Sequence, residues 1–101
     1  MVFIETPAFR RSAAELLDDD DLAALQTKLM LRPLSGVVIP GSSGLRKVRV
    51  PARGKGTRGG ARVIYYFLQS DGQIFLLFAY AKSQRDDLTK EQAKLLRSLI
   101  D

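Results

Sequence analysis

The chain opens with a short apolar alternation, "VFIETP", which predicts a strand ending at Thr6-Pro7. Thr6 suits a helix N-cap, because its hydroxyl can accept from the exposed amides of the first turn. Pro7 suits the first helical position, where its missing N–H would be unpaired anyway. This first helix is expected to run to about Leu17. Asp18 to Asp21 then supply a cap and negative charge at the positive end of a second helix, whose apolar residues Leu22, Leu25, Leu29 and Met30 recur at helical spacing. Four consecutive acids point in different directions, so helix initiation explains them better than metal binding. Arg32-Pro33 ends the helix, and "PLSGVVIPGSSG", residues 33 to 44, reads as a loop.

Beyond Gly44 the period falls to two. In "LRKVRV", Val48 and Val50 share a face with Arg46, and Lys47 and Arg49 share the other. "RVIYYFL" and "QIFLLFAYA" are two further strands, joined by "QSDGQ", where Asp71-Gly72 favours a tight turn. Their near-continuous apolarity predicts central strands of an antiparallel meander covered by the N-terminal helices, with Tyr65 and Tyr66 packed in the core and their hydroxyls at its rim. A last helix is expected in "LTKEQAKLLRSLI", with Thr89 as cap, Gln92 at capping-box spacing, and Leu95, Leu96, Leu99 and Ile100 as its core face. The fold class is therefore α+β: a central, mostly antiparallel sheet with two N-terminal helices and a C-terminal helix. At 101 residues, 1–101 is read as one domain.

Composition narrows the chemistry. The chain has no cysteine and no histidine, which removes disulfides, thiol nucleophiles and nearly every zinc site. No metal or cofactor is expected. The N-terminus lacks the pattern of a signal peptide and no apolar run is long enough for a membrane span, so the reading is a soluble, cytoplasmic protein with no membrane partner. Net charge is +5, and its distribution is uneven. Residues 44 to 62 hold seven cations (Arg46, Lys47, Arg49, Arg53, Lys55, Arg58 and Arg62) and no acid; the remaining nine of the 16 cations face 11 acids, a net of −2. A focused cationic patch on a slightly acidic body is what attraction of a polyanion requires.

Within this patch, "PARGKGTRGGAR" invites a phosphate-loop reading and fails it. Lys55 is followed by glycine, no glycine lies five positions before Gly54, and a strand follows in place of a helix. What remains is a glycine-rich hairpin tip whose Arg53, Lys55 and Arg58, with Arg46 nearby, are suited to RNA or ribosomal phosphates. Lys47 and Arg49 on one strand, Arg62 opening the next, and Tyr80 with Lys82 closing the third are expected to converge at one end of the sheet. Without histidine, an RNA-cleaving site needs another base for the 2′-hydroxyl proton and another acid for the leaving oxygen. Lysine serves when neighbouring cations disfavour its charged form, arginine stabilises a phosphorane-like transition state, and a tyrosine such as Tyr80 can stack on a base or donate a proton.

The run "GLRKVRVPARGKGTRGGARVIYYFL", followed by "FLLFAYAKSQRDDLT" and preceded by "LMLRPLSGVVIPGSSG", resembles the RelE/HigB superfamily of type II toxin–antitoxin toxins, nearest the HigB branch. The resemblance spans nearly the whole chain. It implies a RelE-like, microbial ribonuclease-type fold and a metal-independent endoribonuclease that enters the ribosomal A site, cuts mRNA and inhibits translation. By position, Lys47 and Arg49 resemble the cationic pair of the family's second strand, Arg62 the arginine opening the third, and Lys82 the cationic segment after the fourth. This chain departs from the RelE pattern in having Ser83 and Thr89 where a further arginine and a tyrosine occur, which leaves Lys47, Lys82 and Tyr80 as candidates for the general base. The resemblance also implies a HigA-like helix-turn-helix antitoxin, with operator DNA contacted only through the complex. A ParE-like gyrase inhibitor and a non-catalytic ribosome- or RNA-binding module are the alternatives to a nuclease.

Overall fold

The computed structural model describes residues 1–51, 60–84 and 87–100. Its elements are β1 (Val2–Glu5), α1 (Pro7–Ala13), α2 (Asp19–Leu31), β2 (Val37–Val38), β3 (Arg46–Val50), β4 (Ala61–Leu68), β5 (Gln73–Ala81) and α3 (Lys90–Ser98). The strands form one sheet in the order β1-β5-β4-β3-β2, with β1 parallel to β5 and the other pairs antiparallel. This is the α+β architecture expected.

The helix starts follow from local chemistry. Thr6 accepts from the Phe9 amide at 3.1 Å, and its hydroxyl also lies 3.2 Å from the carbonyls of Leu76 and Leu77, so the cap ties α1 to β5. Asp18 and Asp21 make a reciprocal capping box on α2, and Thr89 and Gln92 make one on α3. Helix α1 is shorter than expected, stopping at Ala13 with a turn in which the amides of Leu16 and Leu17 both donate to the Ala13 carbonyl. The chain must leave the helix there because Asp18 needs extended backbone (φ −87°, ψ −179°) to cap α2.

Both faces of the central strands are covered. Phe9, Leu17, Leu25 and Leu29 pack on Val48, Val63, Tyr65 and Leu76, while Ala93 and Leu96 pack on Leu45, Ile64 and Leu77 on the other face. The N-terminal helices cover one face as expected and the C-terminal helix covers the other, which accounts for the unbroken apolarity of β4 and β5. Two apolar stripes also differ from expectation. Met30 is exposed because it lies about 100° around α2 from buried Leu29. On α3 the buried line is Ala93, Leu96 and half-buried Ile100, which leaves Leu95 and Leu99 outside. Within the loop read from residues 33 to 44, Val37 and Val38 form a strand that pairs with Lys47 and Arg46. The Tyr65 hydroxyl is buried, not at the rim: it accepts from the Gly36 amide at 2.9 Å and donates to the Pro33 carbonyl at 2.8 Å.

A β-bulge decides which face carries the candidate chemistry. Ile64 pairs with Phe78 but Tyr65 pairs with Leu76, so Leu77 is an extra residue on β5. Leu77 and Phe78 both pack towards α3 as a result. Without the extra residue, strict alternation from Ile74 and Leu76 would turn Tyr80 towards α1 and α2; with it, Tyr80 joins the α3 side.

Candidate active site

Strand pairing brings three of the expected residues into one row. Arg49 is opposite Arg62, and Arg62 is opposite Tyr80. With strands about 4.8 Å apart, the row spans roughly 10 Å across β3, β4 and β5. Lys47 lies on the same face one pair along, opposite Ile64, which is in turn opposite Phe78. Lys82 is exposed in the turn directly after β5, and its amide donates to the Gly60 carbonyl at 3.3 Å, closing this end of the sheet.

The side chains differ in how they meet solvent. Arg49 is exposed and Arg62 half-buried, whereas Tyr80 is only 2% exposed. The Tyr80 ring stacks on Phe78 with centroids 6.3 Å apart and 30° between planes, so it contributes to the floor of the site. Arg49 also lines a cleft of about 380 Å³ with Asp18, Asp20 and Asp21 at the start of α2. Among the described residues no group of acids is arranged to hold a metal ion.

Lys47 does not stand alone. Its ammonium is ion-paired with the carboxylate of Asp87, the bend residue two positions before the Thr89 cap. Sequence reasoning missed Asp87, although an acidic pair directly after the cationic Lys82–Arg85 segment was a usable signal. Arg46 is not brought to the site. It lies on the opposite face, and its guanidinium donates to the carbonyls of Gly36 at 2.7 Å and Leu34 at 3.2 Å, fastening the 33–36 loop to β3. Arg53, Lys55 and Arg58 lie outside the described residues.

A sequence model of the RelE toxin of the RelE/RelB toxin–antitoxin system matches residues 4–100. The chain belongs to the RelE toxin family. Its fold is similar to that of a double mutant of the E. coli toxin RelE in the free state, with a TM-score of 0.59 and 13% identity over 95% of each chain. At that identity the likeness concerns the fold, and the arrangement of Lys47, Arg49, Arg62 and Lys82 stands on this chain's own geometry. As a RelE-family member the protein is the toxin of a toxin–antitoxin pair, with an antitoxin as partner, and toxins of the RelE family are in general endoribonucleases. No helix among the described residues is long and apolar enough to cross a membrane.

Proposed function

We propose that this RelE-family toxin is a metal-independent mRNA endonuclease that acts on the translating ribosome in the cytoplasm, in the manner of the HigB branch. The observation that carries the reading is the cross-strand row Arg49–Arg62–Tyr80, with Lys47 beside it on the same face and Lys82 at the strand end.

In the proposed reaction the 2′-oxygen of a ribose attacks the adjacent phosphorus and the bond to the 5′-oxygen of the next nucleotide breaks. The products are a 2′,3′-cyclic phosphate and a 5′-hydroxyl. One proton leaves the 2′-hydroxyl and one reaches the departing 5′-oxygen, so no metal, water or redox partner is consumed. Arg49 and Arg62 supply fixed positive charge where negative charge grows on the phosphorane. Lys47 anchors the phosphate, and Tyr80, buried on β5 opposite Arg62, contributes to the floor beside it. Lys82, the exposed amine at the end of the row, takes the proton-transfer role. The glycine-rich segment with Arg53, Lys55 and Arg58 meets ribosomal RNA phosphates. The antitoxin is HigA-like, and operator DNA is bound only through the toxin–antitoxin complex.

The test is to express the toxin from a tight promoter and map mRNA 5′ ends with and without translation of a reporter, repeating with Arg62→Ala and Lys47→Ala. Cuts confined to translated codons, lost in both variants, are expected. Absence of such cuts, or variants that cut like wild type, would sink the mechanism, and supercoiling defects without cleavage would assign the toxin to gyrase.

A further inference from the structure

Helix α3 carries Lys90, Lys94 and Arg97 at i, i+4 and i+7, a spacing that keeps them on one side over about 10 Å. Ala93 and Leu96 face the sheet, so the cations run along the helix flank. Opposite them is the turn at residues 39–44, and between the two lies a cleft of about 590 Å³.

The cleft is firmly built. Buried Ser42 accepts from the Leu45 amide at 3.1 Å, which fixes the turn that forms one wall. Arg97 is held from two sides, with Nε donating to the Ser43 carbonyl at 3.1 Å and its guanidinium 4.6 Å over the Tyr66 ring. The described residues that line the cleft include three cations, the hydroxyls of Ser43 and Thr89, and no acid. Cations mixed with hydroxyls are the side chains that contact nucleic-acid backbones.

Position matters as much as charge. The cleft begins at Leu88 and Thr89, next in sequence to Asp87 on Lys47, and its far wall begins at Ile39, just beyond the β2 residues paired with Arg46 and Lys47. One end of the cleft therefore lies near Lys47. We propose that this cleft is a second RNA subsite, binding the sugar–phosphate backbone of the strand that flanks the scissile phosphate. The proposal rests on the nuclease reading of the Arg49–Arg62 row and adds Lys90, Lys94 and Arg97 as residues that hold the substrate away from the chemistry.

The experiment is fluorescence anisotropy of the intact toxin with labelled, uncleavable 2′-O-methyl RNA, as a dinucleotide and as a longer single strand, over a range of salt. The variant Lys90→Gln/Lys94→Gln is compared with the charge-matched Arg11→Gln/Arg32→Gln, both pairs being exposed and their folding checked by thermal melts. The cleft variant is expected to bind the longer strand several-fold more weakly, with a salt slope shallower by about 1.4 for two lost contacts at about 0.7 each. Dinucleotide binding should not change, and the control pair should behave as wild type. Unchanged affinity and slope for the longer strand, while Arg62→Ala weakens both probes, overturns the subsite and leaves the nuclease reading standing. Intact RNA binding with lost binding of a poly-glutamate peptide overturns it and gives the cleft to an acidic protein segment. Weaker long-strand binding by a toxin that cuts no translated mRNA overturns both the nuclease reading and the place of the cleft beside a scissile phosphate, and leaves the cleft a plain RNA-binding surface.

Discussion

Lys47 on β3 and Asp87, forty residues further on, form an ion pair that joins the candidate active site to the start of α3. The side chains are 26% and 64% exposed, so water screens the pair and it contributes little to stability. Its consequence is for binding: the carboxylate sits on an ammonium to which we assign a substrate phosphate. Asp87→Asn is expected to change stability by less than about 1 kcal/mol in urea titration. It should also raise affinity for single-stranded RNA and steepen the salt slope by about 0.7. The gain should vanish in a Lys47→Met background. A gain that survives there would be a general charge effect and would remove Asp87 from the site.

Tyr65 anchors the segment that leads into β2. Its hydroxyl accepts from Gly36 and donates to Pro33, and burial pushes its pKa above the ordinary 10.0, partly offset by the Gly36 hydrogen bond, Ser35 and the nearby Arg46 charge. Tyr65→Phe leaves a buried amide and carbonyl without this partner, at about 1–3 kcal/mol. The raised pKa adds a pH signature. Below pH 10 the hydroxyl is protonated in both states and its contribution is full; as pH climbs from 10 through the higher folded-state pKa, the unfolded chain releases the proton first and stability falls. Urea midpoints followed into the alkaline range should therefore converge for wild type and Tyr65→Phe. Parallel curves would contradict the assignment.

Features set by short-range chemistry were readable along the chain. Thr6, Asp18 and Thr89 each bond to an amide three residues on, so their caps needed no tertiary information. Alternation placed Lys47 and Arg49 opposite Val48 and Val50, and pairing then aligned Arg49 with Arg62. What depended on distant packing was not readable. Leu95 and Leu96 are equal as sequence, and only the sheet selects Leu96. Arg46 looks like another phosphate ligand until the carbonyls of Leu34 and Gly36 are seen to occupy it. The extra residue at Leu77 that turns Tyr80 to the site has no glycine or proline to announce it, and Asp87 reaches Lys47 only through the fold.

Gly60 leads into β4, and its carbonyl accepts from the Lys82 amide. Its φ is +75°, and an added Cβ would lie 2.6 Å from the Val50 carbonyl oxygen, a backbone atom that cannot move aside. Gly72 has a similar φ of +61° but open space around it. Gly72→Ala should therefore show the left-handed penalty alone, about 1 kcal/mol, and Gly60→Ala a larger loss from the added clash. Gly60→Ala should also lower cleavage in conditions where the variant remains folded, because it displaces Arg62 and Lys82 together. Equal losses in urea denaturation would show that the backbone at Gly60 relaxes freely.

The pairing of Arg49 with Arg62 sets two like charges directly opposite on adjacent strands, an arrangement that works against sheet stability by a few tenths of a kcal/mol up to about 1. A phosphate bound between the two guanidinia turns this repulsion into shared attraction. Arg49→Thr, a residue that favours strands, is thus expected to raise the denaturation midpoint at low ionic strength while lowering cleavage of translated mRNA. Added salt should narrow the stability gap as it screens the pair. Inorganic phosphate or a short uncleavable RNA should stabilise wild type more than the variant, since only wild type offers both guanidinia. If Arg49→Thr destabilises the protein at low salt, the contacts of Arg49 outweigh its repulsion from Arg62, and the row is maintained by structure and not by substrate.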